Sequence, residues 1–428
     1  MVVGLGYVGT PLAAALASKG HDVTGFDIDP DKVALINKGL NPLPGDEPGL
    51  DELLAKVVAK NRLRASLDPE VISRARGVFV AVETPVDEIT HDPETKALRS
   101  ALGTVGKHLA KGTLVVIEST LAPLTMDRFV RPLLERASGL KVSKGFYLAH
   151  APERVTPGKL LHNLQHLPRI LGGPDAKTTG KAAKVYGRLV KAELLETSWV
   201  NAEIAKTAEN AYYDVQIALA NELALICEEF EADIHEVRRL VNSCPGRDLL
   251  LPGTGVGGAC IPKDPWLLMA NLGHMKVQLL PTAREVNEFM PVRTAQLVGE
   301  ALRAAGRRVK GARVAALGFA YRGNTGDTRS TPAIPFIRAL RKLGADVLIH
   351  DPYARGERGY TVERDLEVVA KGADCLAVLA EHKAYRDLDY ARLGKLMRTK
   401  TIVDGRNVVP EDVVENGFVL RALGKGQY

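Results

Sequence analysis

Cysteine is scarce and unpatterned. The chain has four in 428 residues, at positions 227, 244, 260 and 375, and no two stand at CxxC spacing. That argues against a disulfide framework and for a reducing, cytoplasmic setting. The ten histidines include no HExxH or similar pair, so no metal is expected. No apolar run approaches the roughly 20 residues needed to span a bilayer. Met1-Val2-Val3-Gly4 sets no basic segment ahead of an apolar stretch, so neither membrane insertion nor a secretory signal is expected. Long Lys/Arg blocks are also missing. A net charge of +6 is spread over 57 basic and 51 acidic residues, without the concentrated stripe that nucleic acid requires. The surplus instead suits an acidic small substrate. What remains is a globular composition, 46% hydrophobic and 25% charged, in a chain long enough for two or three domains.

The first thirty residues carry the most specific local pattern. Val2-Val3-Gly4-Leu5-Gly6-Tyr7-Val8-Gly9 reads as a strand entering a GxGxxG turn, and Pro11 to Ser18 continues as a helix. A second strand, Asp22 to Phe26, ends in Asp27. Glycine in such a turn lets a pyrophosphate approach the helix N-terminus, and the acid meets the ribose hydroxyls. Asp27 would repel a 2′-phosphate, so NAD is expected over NADP. Only three residues precede Gly4, short for a first strand, so either leading residues of that strand are missing or the start lies elsewhere.

Gly77 to Val82, Thr113 to Ile117 and Tyr147 to Ala151 read as further strands, the first two apolar throughout, as parallel strands buried on both faces are. Their tips are polar. Thr84 and Thr120 stand at the carboxyl ends, where ligands of doubly wound sheets bind. Glu153-Arg154 follows the third strand, and Glu153 reads equally as a solvated loop acid or as a carboxylate that positions water.

From about residue 201 the texture changes. Ala202 to Glu231 holds almost no Gly or Pro and spaces its apolar residues as one long helix of about 30 residues, suited to a spine or a dimer interface. Lys206 and Asn210 share one face of it. A second helix is expected over about 282–305. Between the two lies Pro252-Gly-Thr-Gly-Val-Gly-Gly-Ala-Cys260-Ile-Pro-Lys263-Asp264-Pro265. Four glycines in six residues form neither helix nor strand but let backbone wrap a ligand. The loop delivers a thiol near a cation, and the thiolate is the reactive form. A lone Cys is more often a small buried hydrophobe. The last third repeats the first in outline, with strands at about 310–318, 345–351, 373–378 and 400–407. Its first turn, Gly318-Phe-Ala-Tyr321-Arg322, has no glycine fingerprint and offers cations. A phosphorylated ligand is expected there, not a second NAD.

Taken in order, the GxGxxG opening, the helical spine, the GVGGxCIxKDP loop, the GxAYRGNTGDTR turn and the closing DGRN resemble the UDP-glucose/GDP-mannose dehydrogenase family over essentially the full chain. The resemblance implies two doubly wound Rossmann-like α/β domains joined by a central all-helical domain: 1–195 for NAD, 196–300 for dimerisation and the Cys loop, 301–428 for UDP. It implies a homodimer through the central helices, and two NAD-dependent oxidations that turn a sugar C6 alcohol into a carboxylate. Cys260 matches the nucleophile, Lys206 the catalytic lysine, Asp264 its partner acid and Asn210 an oxyanion and water site. Glu153 and Thr120 match positions that place the hydrolytic water. Gly4, Gly6, Tyr7, Val8, Gly9, Asp27, Lys32, Thr84, Thr120, Lys263 and Arg329 match cofactor positions. Arg154, Val155, Lys206, Asn210, Arg247, Gly253, Gly257, Tyr321, Arg322 and Arg406 match substrate positions, Arg247 across the dimer.

The form of the Cys loop is more similar to the N-acetylhexosaminuronate branch, which puts UDP-N-acetyl-mannosamine first among the sugars. Ala259, where many of that branch have His, and Lys263 depart from its pattern and leave UDP-N-acetyl-glucosamine and UDP-glucose open. Two other classes stay in play on the residues alone. A two-electron hydroxyacid dehydrogenase would need no thiol, and a non-catalytic NAD-binding protein would need no Cys260, Lys206 or Asp264.

Overall fold

The computed structural model describes residues 1–43, 47–155 and 158–426. The chain divides into two compact units, residues 1–209 with 266–275, and residues 210–265 with 276–428.

The first unit is built on an eight-stranded sheet. Its strands are β1 (Val2–Val3), β2 (Val23–Phe26), β3 (Leu63–Ser66), β4 (Gly77–Val80), β5 (Leu114–Ile117), β6 (Tyr147–His150), β7 (Arg169–Gly173) and β8 (Leu194–Ser198), in the order β3-β2-β1-β4-β5-β6-β7-β8. Every neighbouring pair is parallel except β6 with β7, which is antiparallel. Strands β4 and β5 are Val/Ile/Leu/Phe runs because both faces are covered, and every residue of β5 is buried. The helix Gly9–Ser18 is rich in alanine, with Ala13, Ala14, Ala15 and Ala17 all buried, and so lies close on the sheet. The strand order reverses between β1 and β4, which makes the carboxyl ends of those strands the expected crevice.

The second unit carries a five-stranded, all-parallel sheet, β10-β9-β11-β12-β13, made of β9 (Arg313–Leu317), β10 (Asp346–His350), β11 (Cys375–Val378), β12 (Thr401–Asp404) and β13 (Val419–Ala422). The helices Leu279–Ala304 and Ala333–Lys342 share a core with it. Two Rossmann-like sheets with a helical central region are therefore present. The spine expected from residue 202 is the 31-residue helix Trp199–Glu229. Strands β7 and β8 are not predicted from the sequence: RILGG is buried throughout but ends in two glycines, which weaken a strand pattern, and LLETS is largely exposed. Among the described residues, no helix is long and apolar enough to cross a membrane.

Candidate active site

In the first unit, the three glycines after β1 do three different jobs. Gly4 takes φ +88°, and a Cβ there would stand 2.6 Å from the Ala81 carbonyl oxygen. A Cβ on Gly9 would stand 1.8 Å from the Gly4 carbonyl oxygen, so the helix can start that close to β1 only with glycine. A Cβ on Gly6 would meet nothing within 4 Å. That open face beside a helix N-terminus fits a pyrophosphate. Tyr7 and Val8, both half-buried, complete the turn. Asp27, at the tip of β2, is almost wholly buried and accepts the Leu5 amide at 2.7 Å and the Asp29 amide at 3.0 Å. Asp29 caps the next helix, where Lys32 approaches it at 3.7 Å. Across the reversal point, the Thr84 hydroxyl donates to the Thr120 carbonyl at 2.7 Å and so ties the tips of β4 and β5.

The β5 and β6 tips hold a cluster of ionisable groups. The Glu153 amide donates to the Glu118 carbonyl at 3.2 Å. Burial pushes the Glu153 carboxyl up to about 7, against the pull of Lys206 and Arg169. Lys206 is 7% exposed on the helix Trp199–Glu229. One turn earlier, Glu203 is fully buried and accepts the Leu124 and Met126 amides at 2.8 and 2.6 Å. Burial pushes it, too, up to about 7. Arg154 donates to Glu209 at 2.8 Å and to the Pro168 carbonyl at 3.1 Å, with Val155 half-buried beside it. The segment after the Cys loop also belongs to this unit. The Trp266 ring stacks on His91 at 4.0 Å, and Asn271 donates to the Pro123 carbonyl at 2.7 Å.

In the second unit, the glycine loop is shaped by what it touches. A Cβ on Gly253 would stand 2.1 Å from the Arg406 guanidinium, and one on Gly257 would stand 2.3 Å from the Tyr321 side chain. Gly255 (φ +126°) and Gly258 (φ +94°) take backbone angles that other residues avoid. The Gly258 amide donates to the Arg329 carbonyl at 2.8 Å, and Arg329 pairs with Asp327. The structure thus brings Gly253, Gly257, Tyr321, Arg329 and Arg406 together. Arg406 also donates to the Tyr321 carbonyl at 3.2 Å and pairs with Glu381 at 2.9 Å. Burial, helped by Asp327, pushes the Tyr321 phenol up to about 12, so it stays a neutral donor. Arg322 is exposed beside Tyr321, and Arg247 is exposed in the turn after the helix Ile234–Asn242.

Cys260 is exposed at the end of the loop. Its carbonyl accepts the Lys263 and Asp264 amides at 3.0 and 2.9 Å, a turn that opens the helix Asp264–Met269. Asp264 is fully buried. It takes the Asn210 amide at 2.5 Å and Lys263 at 2.9 Å. A buried network unseen in the sequence supports the loop. Asn221 accepts the Gly253 amide at 2.9 Å and donates to Asn287 at 2.8 Å. Asn287 donates to Asp214, which pairs with Arg284 at 2.6 Å. The turn after β9 repeats the device of the first unit: Asp351, at the tip of β10, accepts the Phe319 and Ala320 amides at 2.7 and 2.8 Å. Its own burial would raise it, but the bond from His382 and these amides hold it near 2.

Comparison with known proteins decides the identity. The models of the UDP-glucose/GDP-mannose dehydrogenase family match its NAD binding domain over residues 1–190, its central domain over 200–289 and its UDP binding domain over 315–411. The chain belongs to the UDP-glucose/GDP-mannose dehydrogenase family. It is 39% identical, over 99% of both chains, to a UDP-N-acetyl-D-mannosamine dehydrogenase of Pyrococcus horikoshii. The solved structure of the P. horikoshii UDP-D-ManNAc dehydrogenase superposes with TM-score 0.94 at 38% identity, covering all of both chains. That of an NDP-N-acetyl-D-galactosaminuronic acid dehydrogenase from Methanosarcina mazei superposes with TM-score 0.89 at 37% identity, covering 99% of this chain and 94% of that one. The chain is an NAD-dependent UDP-sugar dehydrogenase, and the open cradle at Gly6 fits that cofactor.

Proposed function

We propose that this family member oxidises the C6 hydroxymethyl of UDP-N-acetyl-D-mannosamine to a carboxylate in two steps, through a thiohemiacetal and then a thioester on Cys260. NAD supplies the hydride acceptor for both oxidations. Lys206 stabilises the developing alkoxide as the C6 hydroxyl gives up its proton. The Cys260 thiolate then adds to the aldehyde carbon, because an aldehyde yields a second hydride only after a nucleophile makes it tetrahedral. Loss of that hydride leaves the thioester. Water adds to it with Glu153 as base and Thr120 beside it, the C–S bond breaks, and the thiolate returns with a carboxylate as product. In total, one alcohol, two NAD and one water give one carboxylate, two NADH and three protons. Asp264 takes part in the proton transfers, held by Asn210.

The observation that carries this reading is the exposed Cys260 on a loop whose shape is fixed by Tyr321 and Arg406. Guanidinium groups suit a diphosphate, which supports Tyr321, Arg322 and Arg406 as the UDP contacts, and the Gly253–Gly257 backbone, with Arg154 and Val155, as sugar and phosphate contacts. Tyr7, Val8, Asp27, Lys32 and Thr84 serve the cofactor, with Lys263 and Arg329. The names of the relatives support an N-acetylated sugar. UDP-N-acetyl-glucosamine and UDP-glucose are the alternatives.

Two further parts of the reading rest on surface and composition. Tyr212, Leu219 and Ile226 recur every seven residues on the Trp199–Glu229 helix, with Phe230 one turn on, and all are exposed. Such a stripe supports a homodimer through the central helices, with Arg247 reaching the partner's substrate. The free cysteines support the cytoplasm. The division 1–195, 196–300 and 301–428 is kept for the NAD, dimerisation and UDP roles.

The deciding experiment is NADH yield per sugar, with each UDP-sugar limiting in turn. Two NADH per sugar are expected for the true substrate, and Cys260→Ala should stop after the aldehyde. One NADH per sugar from the native enzyme would instead make it a simple dehydrogenase.

A further inference from the structure

The first unit buries a charged group that the mechanism above does not use. Glu118, at the tip of β5, is 1% exposed, and Arg169, which opens β7, is 3% exposed. The Tyr186 hydroxyl donates to one Glu118 oxygen and an Arg169 Nη donates to the other. The same Arg169 nitrogen donates to the Ala151 carbonyl at 2.8 Å, two residues before Glu153. The Arg169 guanidinium also lies 5.2 Å over the Tyr186 ring. A buried ion pair is poor value as a stabiliser, since hydrophobic residues of similar volume often do as well or better. What the pair adjoins is therefore informative.

It adjoins Glu153. The antiparallel pairing of His150 with Gly172 and the Arg169 bond to the Ala151 carbonyl bring the start of β7 to the segment that carries Glu153, whose amide in turn donates to the Glu118 carbonyl at 3.2 Å. The charged groups acting on Glu153 are Lys206 from the long helix, Arg169 from β7 and Glu118 from β5. His150, buried on β6, bonds the Ile117 carbonyl through Nδ1 at 2.9 Å, and burial lowers it to about 4, so it stays neutral. One Glu153 oxygen is buried without a hydrogen-bond partner among the described residues, so charges rather than direct bonds govern that side of the carboxyl.

We propose that the Glu118–Arg169 pair is a positioning device for Glu153: it fixes the β6 tip through the Ala151 carbonyl and, by the balance of its opposite charges, sets whether the Glu153 carboxyl carries a proton. This rests on the reading of Glu153 as the base in thioester hydrolysis. Glu118 opposes ionisation of Glu153 and Arg169 favours it, while burial dominates both. Arginine does not shed its proton in proteins. Burial pushes the Glu118 carboxyl up as well, and the Arg169 charge with the Tyr186 bond pulls it back down; replacing Glu118 by Gln removes the charge that this pairing sustains and leaves an uncompensated cation, and Glu153 should ionise at lower pH.

The test follows the Glu153 carboxyl stretch by infrared difference spectroscopy in the full-length enzyme with NAD bound, the band being assigned with Glu153→Gln. In Glu118→Gln the midpoint should fall by about one pH unit. In the double variant Glu118→Gln/Arg169→Met it should return to within about half a unit of the native value, a reversal that general damage would not produce. A native midpoint in folded Glu118→Gln overturns the proposal. Arg169→Lys separates position from charge and serves if Glu118→Gln does not fold. Lysine keeps the cation, but its nitrogen ends one atom short of the Arg169 Nη that donates to both Glu118 and the Ala151 carbonyl, so hydrolysis should slow about tenfold at an unchanged midpoint. Undiminished hydrolysis there overturns the positioning role. A midpoint that moves in Glu118→Gln while hydrolysis keeps its pH dependence supports the charge-setting pair and overturns the role of Glu153 as base.

Discussion

The Tyr321 side chain occupies the space that a Cβ on Gly257 would need, with 2.3 Å between them. The glycine loop and the turn after β9 are therefore fitted to one another atom by atom. Gly257→Ala must displace Tyr321 or the loop, at a cost of about 1–3 kcal/mol. We expect a lower unfolding temperature, a raised KM for the UDP-sugar and a lower kcat, read by thermal denaturation and initial rates.

Gly6→Ala should behave differently. Nothing lies within 4 Å of the new methyl group, and the backbone there needs no positive φ. Stability should stay within about 0.5 kcal/mol of native, while NAD binding weakens about tenfold or more because the methyl intrudes on the open cradle. Titration calorimetry with NAD, beside thermal denaturation, checks both halves. An alanine variant that binds NAD normally would move the pyrophosphate elsewhere.

Glu153 also makes a pH prediction. Its carboxyl titrates near 7 in the folded chain against 4.5 when unfolded, because burial disfavours the charge. Between those values the native state holds the extra proton, so stability declines as pH rises through the window and the penalty is complete above 7. Glu153→Gln removes this contribution. Its denaturant midpoint should exceed the native one at pH 8 and match it near pH 4.5, while its hydrolysis of the thioester is lost. Equal midpoints at pH 8 would show that the carboxyl is not penalised.

The seven-residue stripe on the helix Trp199–Glu229 gives the fourth prediction. Leu219→Glu with Ile226→Glu places two charges in the proposed interface, where they cannot be solvated. Light scattering should find a dimer for the native chain and a monomer for the variant. A variant that stays dimeric would place the contact on another face.

The parts legible in the sequence are those where one residue type is required locally. The turn after β1 is legible because a positive φ at Gly4 and a close approach at Gly9 each demand the absence of a side chain. Residues 202–231 read as a helix because nothing in them breaks one. The polar support was not legible. Arg169 stands in LPRILGG and looks like an ordinary surface cation, while Tyr186 looks like the end of an amphipathic helix. Only the antiparallel turn of β7 beside β6 carries Arg169 inward to Glu118. Asp214 lies 70 and 73 residues from Arg284 and Asn287 along the chain and meets them only through packing of two helices. No local spacing announces such a meeting.

The acid at the end of the second strand is used twice in this chain, at Asp27 and at Asp351, each time accepting backbone amides from the neighbouring strand-to-helix turn. Only the first of these turns carries the dinucleotide glycines. An aspartate at that place is thus a fastener for the turn before it is a reader of ribose. Anyone redesigning the enzyme to accept a phosphorylated cofactor by exchanging Asp27 would unfasten the loop along with the specificity. The safer design keeps the acid and adds the new cation at Ile28 or Asp31, where the surface is open.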